Sequence, residues 1–283
     1  MNKFLSKGQN QFTANGMESK PKVVILCGGR GMRLREETEH KPKPLVTIGE
    51  MPILWHIMKI YESHGYRDFI LCLGYKGEMI KDYFLNFDEK VNNFTLKLGA
   101  GTKEVIHHNK KKLIDEWNIT FVDTGLNTET GGRVALIKDF IGDDEDFFLT
   151  YGDGVADINI KDTLRYHKEK GRIATLCGVN DINPFGVIEP ENGLVKAFVE
   201  KPRSTAFISG GFFILNKKFF DYLSPDPTLK FELKPMQTLA SEGQLAVYPH
   251  HGFWHCLDTM KHLEDLNTMY YQGRRPWMTW EKS

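Results

Sequence analysis

The chain of 283 residues has no net charge, no long apolar run and few cysteines. Lysine and arginine together number 37, as do aspartate and glutamate, which argues against a general nucleic-acid binder or a membrane-surface binder. The longest apolar stretches are only as long as strands, so we expect neither a membrane span nor an apolar leader segment near the start. Cationic side chains are therefore expected to gather in one site.

Cysteine is scarce, and the four residues Cys27, Cys72, Cys177 and Cys256 lie far apart. None has a partner at the spacing of a metal-binding or redox pair, and this pattern is typical of reduced thiols. We therefore expect a cytoplasmic protein, and we assign no catalytic role to the thiols.

The first 21 residues are rich in Asn, Gln, Ser and Lys and show no hydrophobic periodicity. We interpret 1–21 as a flexible tail, in which Met17 is as good a functional start as Met1. The chain is 41% hydrophobic and long enough to bury a sizeable core, so 22–283 is expected to form a single domain.

Beyond the tail, strand-like and helix-like patterns alternate. Strands are predicted at 22–27, 68–73, 147–151 and 173–179, and helices at 53–64, 78–84 and 160–170. This alternation is typical of a Rossmann-like α/β fold, with a mainly parallel sheet covered by helices on both faces. In such sheets, ligands bind outside the carboxyl ends of the strands.

The first predicted strand leads into a glycine-rich turn. Gly28, Gly29 and Gly31 can adopt backbone angles that other residues avoid, and they let backbone N–H groups approach phosphate oxygens. A glycine-rich turn after a strand is also an ordinary tight connection, so the glycines alone are weak evidence. The turn lacks the Gly-Lys-Ser/Thr closure of the Walker pattern and the third glycine of a dinucleotide fingerprint.

Two cations follow this turn. Arg33 has a forked guanidinium, and Lys43 is a compact ammonium that Pro42 and Pro44 hold on a stiffened segment. The combination of glycines and cations favours a nucleoside triphosphate site of another type.

At this point the chain resembles the sugar nucleotidyltransferases, whose signature is a glycine-rich loop with an arginine followed by a Pro-Lys-Pro segment. Further motifs resemble one branch, the glucose-1-phosphate cytidylyltransferases. They lie at 36–38, 41–44, 52–58, 122–125, 130–133, 150–157, 200–202, 210–213 and 252–254. Because they follow one order over nearly the whole chain, the set is far more specific than any one motif.

The resemblance implies transfer of a cytidylyl group from CTP to glucose 1-phosphate, which gives CDP-glucose and pyrophosphate. The acceptor phosphate is charged at neutral pH, so its in-line attack on the α-phosphorus needs no protein base. We expect catalysis by positioning and charge neutralisation, with Arg33 and Lys43 as the catalytic residues.

The resemblance also implies the members of the site. For the nucleotide they are Leu26, Cys27, Gly28, Gly29, Gly31, Met32, Arg33, Lys43, Thr124, Gly132, Arg133 and Asp153. For the acceptor they are Tyr151, Glu200, Lys201, Ser209, Gly210 and Gly211. Asp153 and Asp258 are the implied ligands of Mg²⁺, which carboxylate and phosphate oxygens suit.

Some of these assignments have ordinary alternatives. Asp153 before Gly154 is common turn chemistry, and Glu200-Lys201 before a proline is a common exposed strand end. Arg133 and the backbone groups of Gly131 and Gly132 are candidates for reading the cytosine base, although 130–133 also suits a helix-entry turn.

Residues 86–120 are less regular and match the insertion that distinguishes the cytidylyltransferase branch. The lysines at 110–112 favour a solvated loop, and the pair His107 and His108 lacks metal-ligand partners at helical spacing. That branch uses the insertion for subunit contacts. The resemblance therefore implies a homo-oligomer, with a small β-rich region for acceptor binding and oligomerisation.

Four residues depart from the branch pattern. Met32 stands where the loop usually has Thr, and Ser209 stands where the branch has Asn, although serine is shorter and offers one donor. Lys234 occupies an acidic position, and Phe231 replaces a Trp. A second interpretation thus stays open, in which a cytidylyltransferase or other nucleotidyltransferase acts on a different phosphorylated acceptor. A catalytically silent sensor is disfavoured, because the loop and the carboxylates are intact.

Overall fold

The computed structural model describes residues 20–99, 101–108, 111–180, 187–191, 194–199 and 207–281. The strands are β1 Val23–Leu26, β2 Thr47–Ile48, β3 Met51–Pro52, β4 Asp68–Leu73, β5 Asn93–Gly99, β6 Thr102–His108, β7 Asn118–Asp123, β8 Asp146–Tyr151, β9 Gly154–Ala156, β10 Ala174–Val179, β11 Val187–Glu191, β12 Leu194–Val199, β13 Ile208–Ser209, β14 Phe213–Asn216, β15 Leu245–His250 and β16 Trp254–Cys256. The α-helices are α1 Arg35–Thr38, α2 Ile53–Ser63, α3 Gly77–Leu85, α4 Phe87–Val91, α5 Thr130–Leu136, α6 Lys138–Ile141, α7 Ile160–Lys170, α8 Lys234–Ser241 and α9 Met260–Tyr271. Short 3₁₀ turns lie at Met32–Leu34, Lys43–Leu45, Lys217–Tyr222 and Thr279–Glu281.

The central sheet has the strand order β13-β10-β14-β8-β1-β4-β7, and β15 also pairs with β10. Strand β1 lies between β4 and β8 and runs parallel to both, and β7 runs parallel to β4. The carboxyl ends of β1, β4, β7 and β8 therefore meet at one edge of the sheet. The predicted α/β fold with a mainly parallel sheet is confirmed.

Both faces of the sheet are covered, as strand β1 shows. Its four residues are all buried, without the polar alternation of a half-exposed strand. Val23 and Ile25 belong to one hydrophobic cluster, whereas Val24 and Leu26 belong to a second. Successive residues of a strand point to opposite faces of the sheet. The two hydrophobic clusters therefore lie on opposite faces, and together they hold the sheet in place.

Helix α7 shows why the boundaries were readable from the sequence. The Asn159 side chain accepts a hydrogen bond from the Asp162 backbone N–H and caps the start. Gly171 has a φ of 56° and ends the helix in the left-handed conformation. The predicted range of 160–170 agrees with the structure.

Residues 93–108 differ from the irregular segment that we expected. They form an antiparallel hairpin, in which β5 pairs with β6 from Asn93 opposite His108 to Gly99 opposite Thr102. Phe94, Leu96 and Leu98 alternate with polar residues along β5, and this was the overlooked strand signal.

Among the described residues, no helix combines the length and the apolar character that a membrane crossing needs.

Candidate active site

The glycine-rich loop and Asp153 lie side by side at the carboxyl edge of the sheet. Leu26 is the register partner of Tyr151, and the Gly152 backbone N–H donates to the Leu26 carbonyl at 3.1 Å. The segments that continue β1 and β8 thus leave the sheet as neighbours, where ligand sites are expected in such folds.

A cavity of about 310 Å³ opens at this edge. Its lining includes the predicted residues Leu26, Cys27, Gly28, Gly29, Gly31, Met32, Arg33, Lys43, Arg133, Tyr151, Asp153 and Asp258. It also includes Pro44, Thr128, Glu129, Thr130 and Gly152, which were not predicted as site residues, although Pro44, Thr130 and Gly152 belong to the motifs at 41–44, 130–133 and 150–157. Thr128, Glu129 and Thr130 directly precede the Gly131-Gly132 motif. The overlooked signal was therefore the run of polar residues at the start of helix α5.

The other predicted residues lie elsewhere. Thr124, Gly132, Ser209, Gly210 and Gly211 are not part of the cavity lining. Glu200 and Lys201 lie outside the described residues. The cavity thus gathers most of the predicted nucleotide and metal residues, whereas Tyr151 is the one predicted acceptor residue in the described part of the chain that lines it.

Lys43 and two carboxylates form the charged centre of the cavity. The Lys43 Nζ atom lies 2.7 Å from Asp153 Oδ2 and 2.5 Å from Asp258 Oδ1. Arg33 Nη1 lies 2.9 Å from the other oxygen of Asp258, Oδ2. The two predicted cations and the two predicted metal ligands therefore share one ion-pair network.

A short antiparallel ladder brings the two carboxylates together. In strands β9 and β16, Gly154 pairs with Cys256, and the Leu257 backbone N–H donates to the Asp153 carbonyl at 2.7 Å. Asp153 directly precedes β9, and Asp258 is the second residue after β16. Backbone pairing thus fixes the separation of residues that are far apart in sequence.

The network favours the charged forms of Lys43 and Asp258. Burial by itself would lower the pKa of Lys43, but the charges and hydrogen bonds of Asp153 and Asp258 together raise it. For Asp258, burial alone would raise the pKa, but Lys43, followed by Arg33, brings it below the ordinary value. The cavity therefore holds positive groups for phosphates and negative groups for a metal ion.

The two carboxylates fit a divalent cation, because oxygens of both already approach a single ammonium. Over the described ranges there is no group of three or more His, Cys, Asp or Glu side chains that could hold a metal. Mg²⁺ is typically bound by one or two carboxylates, with phosphate oxygens and water in its remaining positions. The two carboxylates therefore suit a metal ion whose remaining ligands include phosphate oxygens of a bound nucleotide.

The Arg133 side chain supports the glycine-rich loop by hydrogen bonds, and the residue is only 5% exposed. Its Nη1 donates to the Leu73 carbonyl at 2.9 Å and to Thr124 Oγ1 at 2.6 Å, and its Nη2 donates to the Gly28 carbonyl at 3.1 Å. These contacts join the ends of β1, β4 and β7. This structural role was not foreseen, and the role of Arg133 in reading the base stays a prediction.

Gly131 and Gly132 pack against the segment that leads to Glu232. Their backbone N–H groups donate to the Leu229 carbonyl at 2.8 and 3.2 Å. A Cβ atom at Gly131 would lie 2.7 Å from Leu229, and one at Gly132 would lie 2.7 Å from the Asp226 carbonyl oxygen. These glycines permit close packing of two segments, and their role toward the base also stays a prediction.

Tyr151 links the cavity to the predicted acceptor loop. A Cβ atom at Gly211 would lie 3.1 Å from Tyr151 Cδ2, which places the ring beside that loop. Gly211 and Phe212 both have positive φ, of 75° and 48°, and the latter is an uncommon conformation for a bulky residue. The Trp254 indole N–H donates to the Gly210 carbonyl at 2.9 Å, so the start of β16 also supports this loop.

Residues 22–273 match the nucleotidyl transferase family, and the chain belongs to this family. The chain is 48% identical over 259 residues to a probable glucose-1-phosphate cytidylyltransferase of Bacillus subtilis (strain 168), covering 92% of this chain and 100% of that protein. It is 46% identical over 261 residues to the glucose-1-phosphate cytidylyltransferase of Salmonella typhi, with 92% and 100% coverage. The resemblance identified from the motifs is confirmed.

The fold is similar to that of HddC from Yersinia pseudotuberculosis. The TM-score is 0.65 at 22% sequence identity, and the similarity covers 89% of this chain and 100% of that chain. At this identity the likeness bears on the fold alone.

Proposed function

We propose that this protein transfers a cytidylyl group from CTP to glucose 1-phosphate, with release of CDP-glucose and pyrophosphate. The observation that carries the proposal is the cluster of Lys43 with Asp153 and Asp258, beside Arg33 and the glycine-rich loop. Relatives that bear this activity in their names are 46% and 48% identical over their full lengths.

The reaction needs two anions to meet. A phosphate oxygen of the sugar phosphate attacks the α-phosphorus of CTP, a new P–O bond forms, and the bond to the oxygen that bridges to the β-phosphate breaks. Pyrophosphate leaves with that bridging oxygen and its electron pair. Lys43 and Arg33 neutralise phosphate charge, and the loop N–H groups hold the nucleotide in line.

Members of this family generally use a divalent metal ion, and we propose Mg²⁺ for this chain. Asp153 and Asp258 would hold it, and it would neutralise charge on the nucleotide phosphates. Because Lys43 lies between these carboxylates, we expect its ammonium to turn toward the phosphates when the nucleotide is bound.

Glucose 1-phosphate is proposed as the acceptor because the relatives at 46% and 48% identity are named for it, and because Met32 is the only one of the four departures from the branch pattern that lines the cavity. Ser209 is exposed on the short strand β13, and Lys234 is exposed at the first turn of α8. Neither residue lines the cavity. These substitutions are therefore compatible with the acceptor that the relatives are named for.

We further propose a homo-oligomer that uses the β5–β6 hairpin. Phe94, Leu96 and Leu98 are exposed on β5, and Leu98 is 72% exposed. A row of apolar side chains on an exposed hairpin is typical of an interface.

The four cysteines form no disulfide, which supports a cytoplasmic location.

Pyrophosphate release tests the proposed reaction directly. The purified protein is incubated with Mg²⁺, each of CTP, UTP and dTTP, and a panel of hexose 1-phosphates. We expect the highest kcat/KM with CTP and glucose 1-phosphate. Equal turnover with all three nucleotides would refute the base preference, and turnover only with another acceptor would refute glucose 1-phosphate.

A further inference from the structure

Glu232 joins two side chains that line the cavity. Its Oε1 accepts a hydrogen bond from the Tyr151 hydroxyl at 2.9 Å, and its Oε2 accepts one from the Thr130 hydroxyl. Tyr151 and Thr130 both line the cavity. One comes from the end of strand β8 and the other from the first turn of helix α5, so a single carboxylate connects two separate elements.

The backbone around Glu232 is anchored. Leu229 accepts hydrogen bonds from Gly131 and Gly132, and the Glu129 backbone N–H donates to the Pro227 carbonyl at 2.7 Å. These bonds tie the segment before Glu232 to the start of helix α5. The carboxylate therefore projects from an anchored segment.

Phe231 provides a second anchor for Glu232. The Phe231 side chain is fully buried, and its ring stacks on Tyr151 with centroids 6.3 Å apart and an interplanar angle of 16°. It also contacts Phe213 edge to face at 5.4 Å. The stacking of Phe231 on Tyr151 places the adjacent Glu232 beside the Tyr151 hydroxyl.

An ionised carboxylate suits this connection because it only accepts hydrogen bonds and has two oxygens, one for each hydroxyl. Burial and the Glu232 charge raise the pKa of Tyr151, so its hydroxyl stays protonated and donates. Tyr151 in turn lies against Gly211 of the predicted acceptor loop. A continuous chain of contacts thus runs from Thr130 at the nucleotide cavity to the acceptor loop.

We propose that Glu232 is a positioning residue that couples the nucleotide cavity to the acceptor side through Thr130 and Tyr151. The inference rests on the proposed function, because it assumes a nucleotide in the cavity and a sugar phosphate beside Gly211. Glu232 acts by orienting the two hydroxyl-bearing side chains, and it takes no part in bond making.

The test compares Glu232→Ala with Glu242→Ala. Glu242 is a matched control, because it also accepts a hydrogen bond from a tyrosine hydroxyl, that of Tyr222, at 2.6 Å. It lines a different cavity, together with His167. For Glu232→Ala we expect a rise in KM for glucose 1-phosphate and a weaker calorimetric Kd for CTP, each about three- to tenfold. Glu242→Ala is expected to stay within about twofold of the wild type.

A double-mutant cycle identifies the route through Tyr151. We combine Tyr151→Phe and Glu232→Ala in one protein and compare its KM for the acceptor with the KM of each single variant. If Glu232 acts on the acceptor through Tyr151, the KM of the double variant should exceed the larger of the two single-variant values by no more than about twofold. Glu232→Gln keeps one acceptor oxygen, and we expect it to recover part of the loss. A role in stability alone would lower the amount of active protein without changing KM or Kd.

Two results would overturn the inference. One is Glu232→Ala with the same KM and Kd as Glu242→Ala, and the other is a double variant whose loss equals the product of the single losses. A wild-type protein that releases no pyrophosphate would instead count against the proposed function. In that case the CTP affinities of the two alanine variants still decide whether Glu232 positions the nucleotide side.

Discussion

Gly28 and Arg133 fit together only because Gly28 has no side chain. A Cβ atom at Gly28 would lie 2.1 Å from Arg133 Nη1, and one at Gly74 would lie 2.6 Å from the same nitrogen. The guanidinium passes between the two glycines and donates to the Gly28 carbonyl. A glycine is therefore needed at position 28 to make room for the Arg133 guanidinium, in addition to any role toward a phosphate.

Gly28→Ala is expected to destabilise the fold, because the new methyl group collides with a buried guanidinium. Overpacking of this kind costs about 1–3 kcal/mol. Gly29→Ala is the matched control, since no atom lies within 4 Å of its added Cβ. Chemical denaturation of both variants checks the difference. Equal free energies of unfolding would contradict the close packing of Gly28 and Arg133.

Lys43→Ala should lower kcat by about a hundredfold, because it removes a positive charge placed to meet the phosphates. Lys41→Ala is the control, since Lys41 lies in the same proline-rich segment and pairs with Glu37 at 3.0 Å near the surface. Steady-state pyrophosphate release and thermal unfolding are measured for both. Normal turnover in a folded Lys43→Ala protein would sink the catalytic assignment.

Asp258→Asn should raise the Mg²⁺ concentration needed for half-maximal turnover by tenfold or more, because an amide oxygen lacks the charge of a carboxylate. Asp144→Asn serves as control, since Asp144 pairs with Lys22 at 2.8 Å outside the cavity lining. The Mg²⁺ dependence of turnover is compared. An unchanged dependence in Asp258→Asn would remove Asp258 from the metal site.

His250 is expected to make stability depend on pH above 6.5, the usual pKa of histidine. Burial alone would lower its pKa, but the hydrogen bond that its Nε2 donates to Asp157 Oδ1, 3.0 Å away, the hydrogen bond to the Phe253 carbonyl and the Asp157 charge together raise the pKa above the usual 6.5. The folded state thus binds the proton more tightly than the unfolded state. This stabilisation is present below pH 6.5 and is lost as the pH rises through the raised value.

Denaturation curves at several pH values from about 6 to 8 test this expectation. The free energy of unfolding should fall more steeply in the wild type than in His250→Gln. Burial lowers the pKa of His56 to about 4, so His56 contributes with the opposite sign as the pH rises through 6.5, and this contribution is the same in both proteins. Parallel profiles for the two proteins would show that His250 does not contribute.

Leu98→Lys should produce a smaller assembly than the wild type, because it places a charge in the proposed hairpin interface. Leu136→Lys is the control, as Leu136 is also exposed but lies on helix α5. Light scattering after size-exclusion chromatography measures both masses. If the wild type is itself monomeric, the proposed oligomer is wrong.

The predictable features were those with a local or a motif signal. Helix α7 carries its cap at Asn159 and its stop at Gly171 within the segment, so its range was readable from the sequence. The hairpin of β5 and β6 was missed, although Phe94 and Leu98 alternate with polar residues, because β5 is exposed along its whole length and lacks the continuous apolar run of the buried strands. Weak burial leaves little contrast between apolar and polar positions.

The alternating α/β pattern, the glycine-rich loop with its cations and the order of motifs that indicates the family could all be read from the sequence. The folded structure was needed to show that Asp153 and Asp258 meet across Lys43, that Arg133 supports the loop, and that Glu232 joins Tyr151 to Thr130. Spacing along the chain reports only local periodicity. The β9–β16 ladder and the packing of Phe231 bring distant segments together, and these contacts form only when the whole fold is assembled.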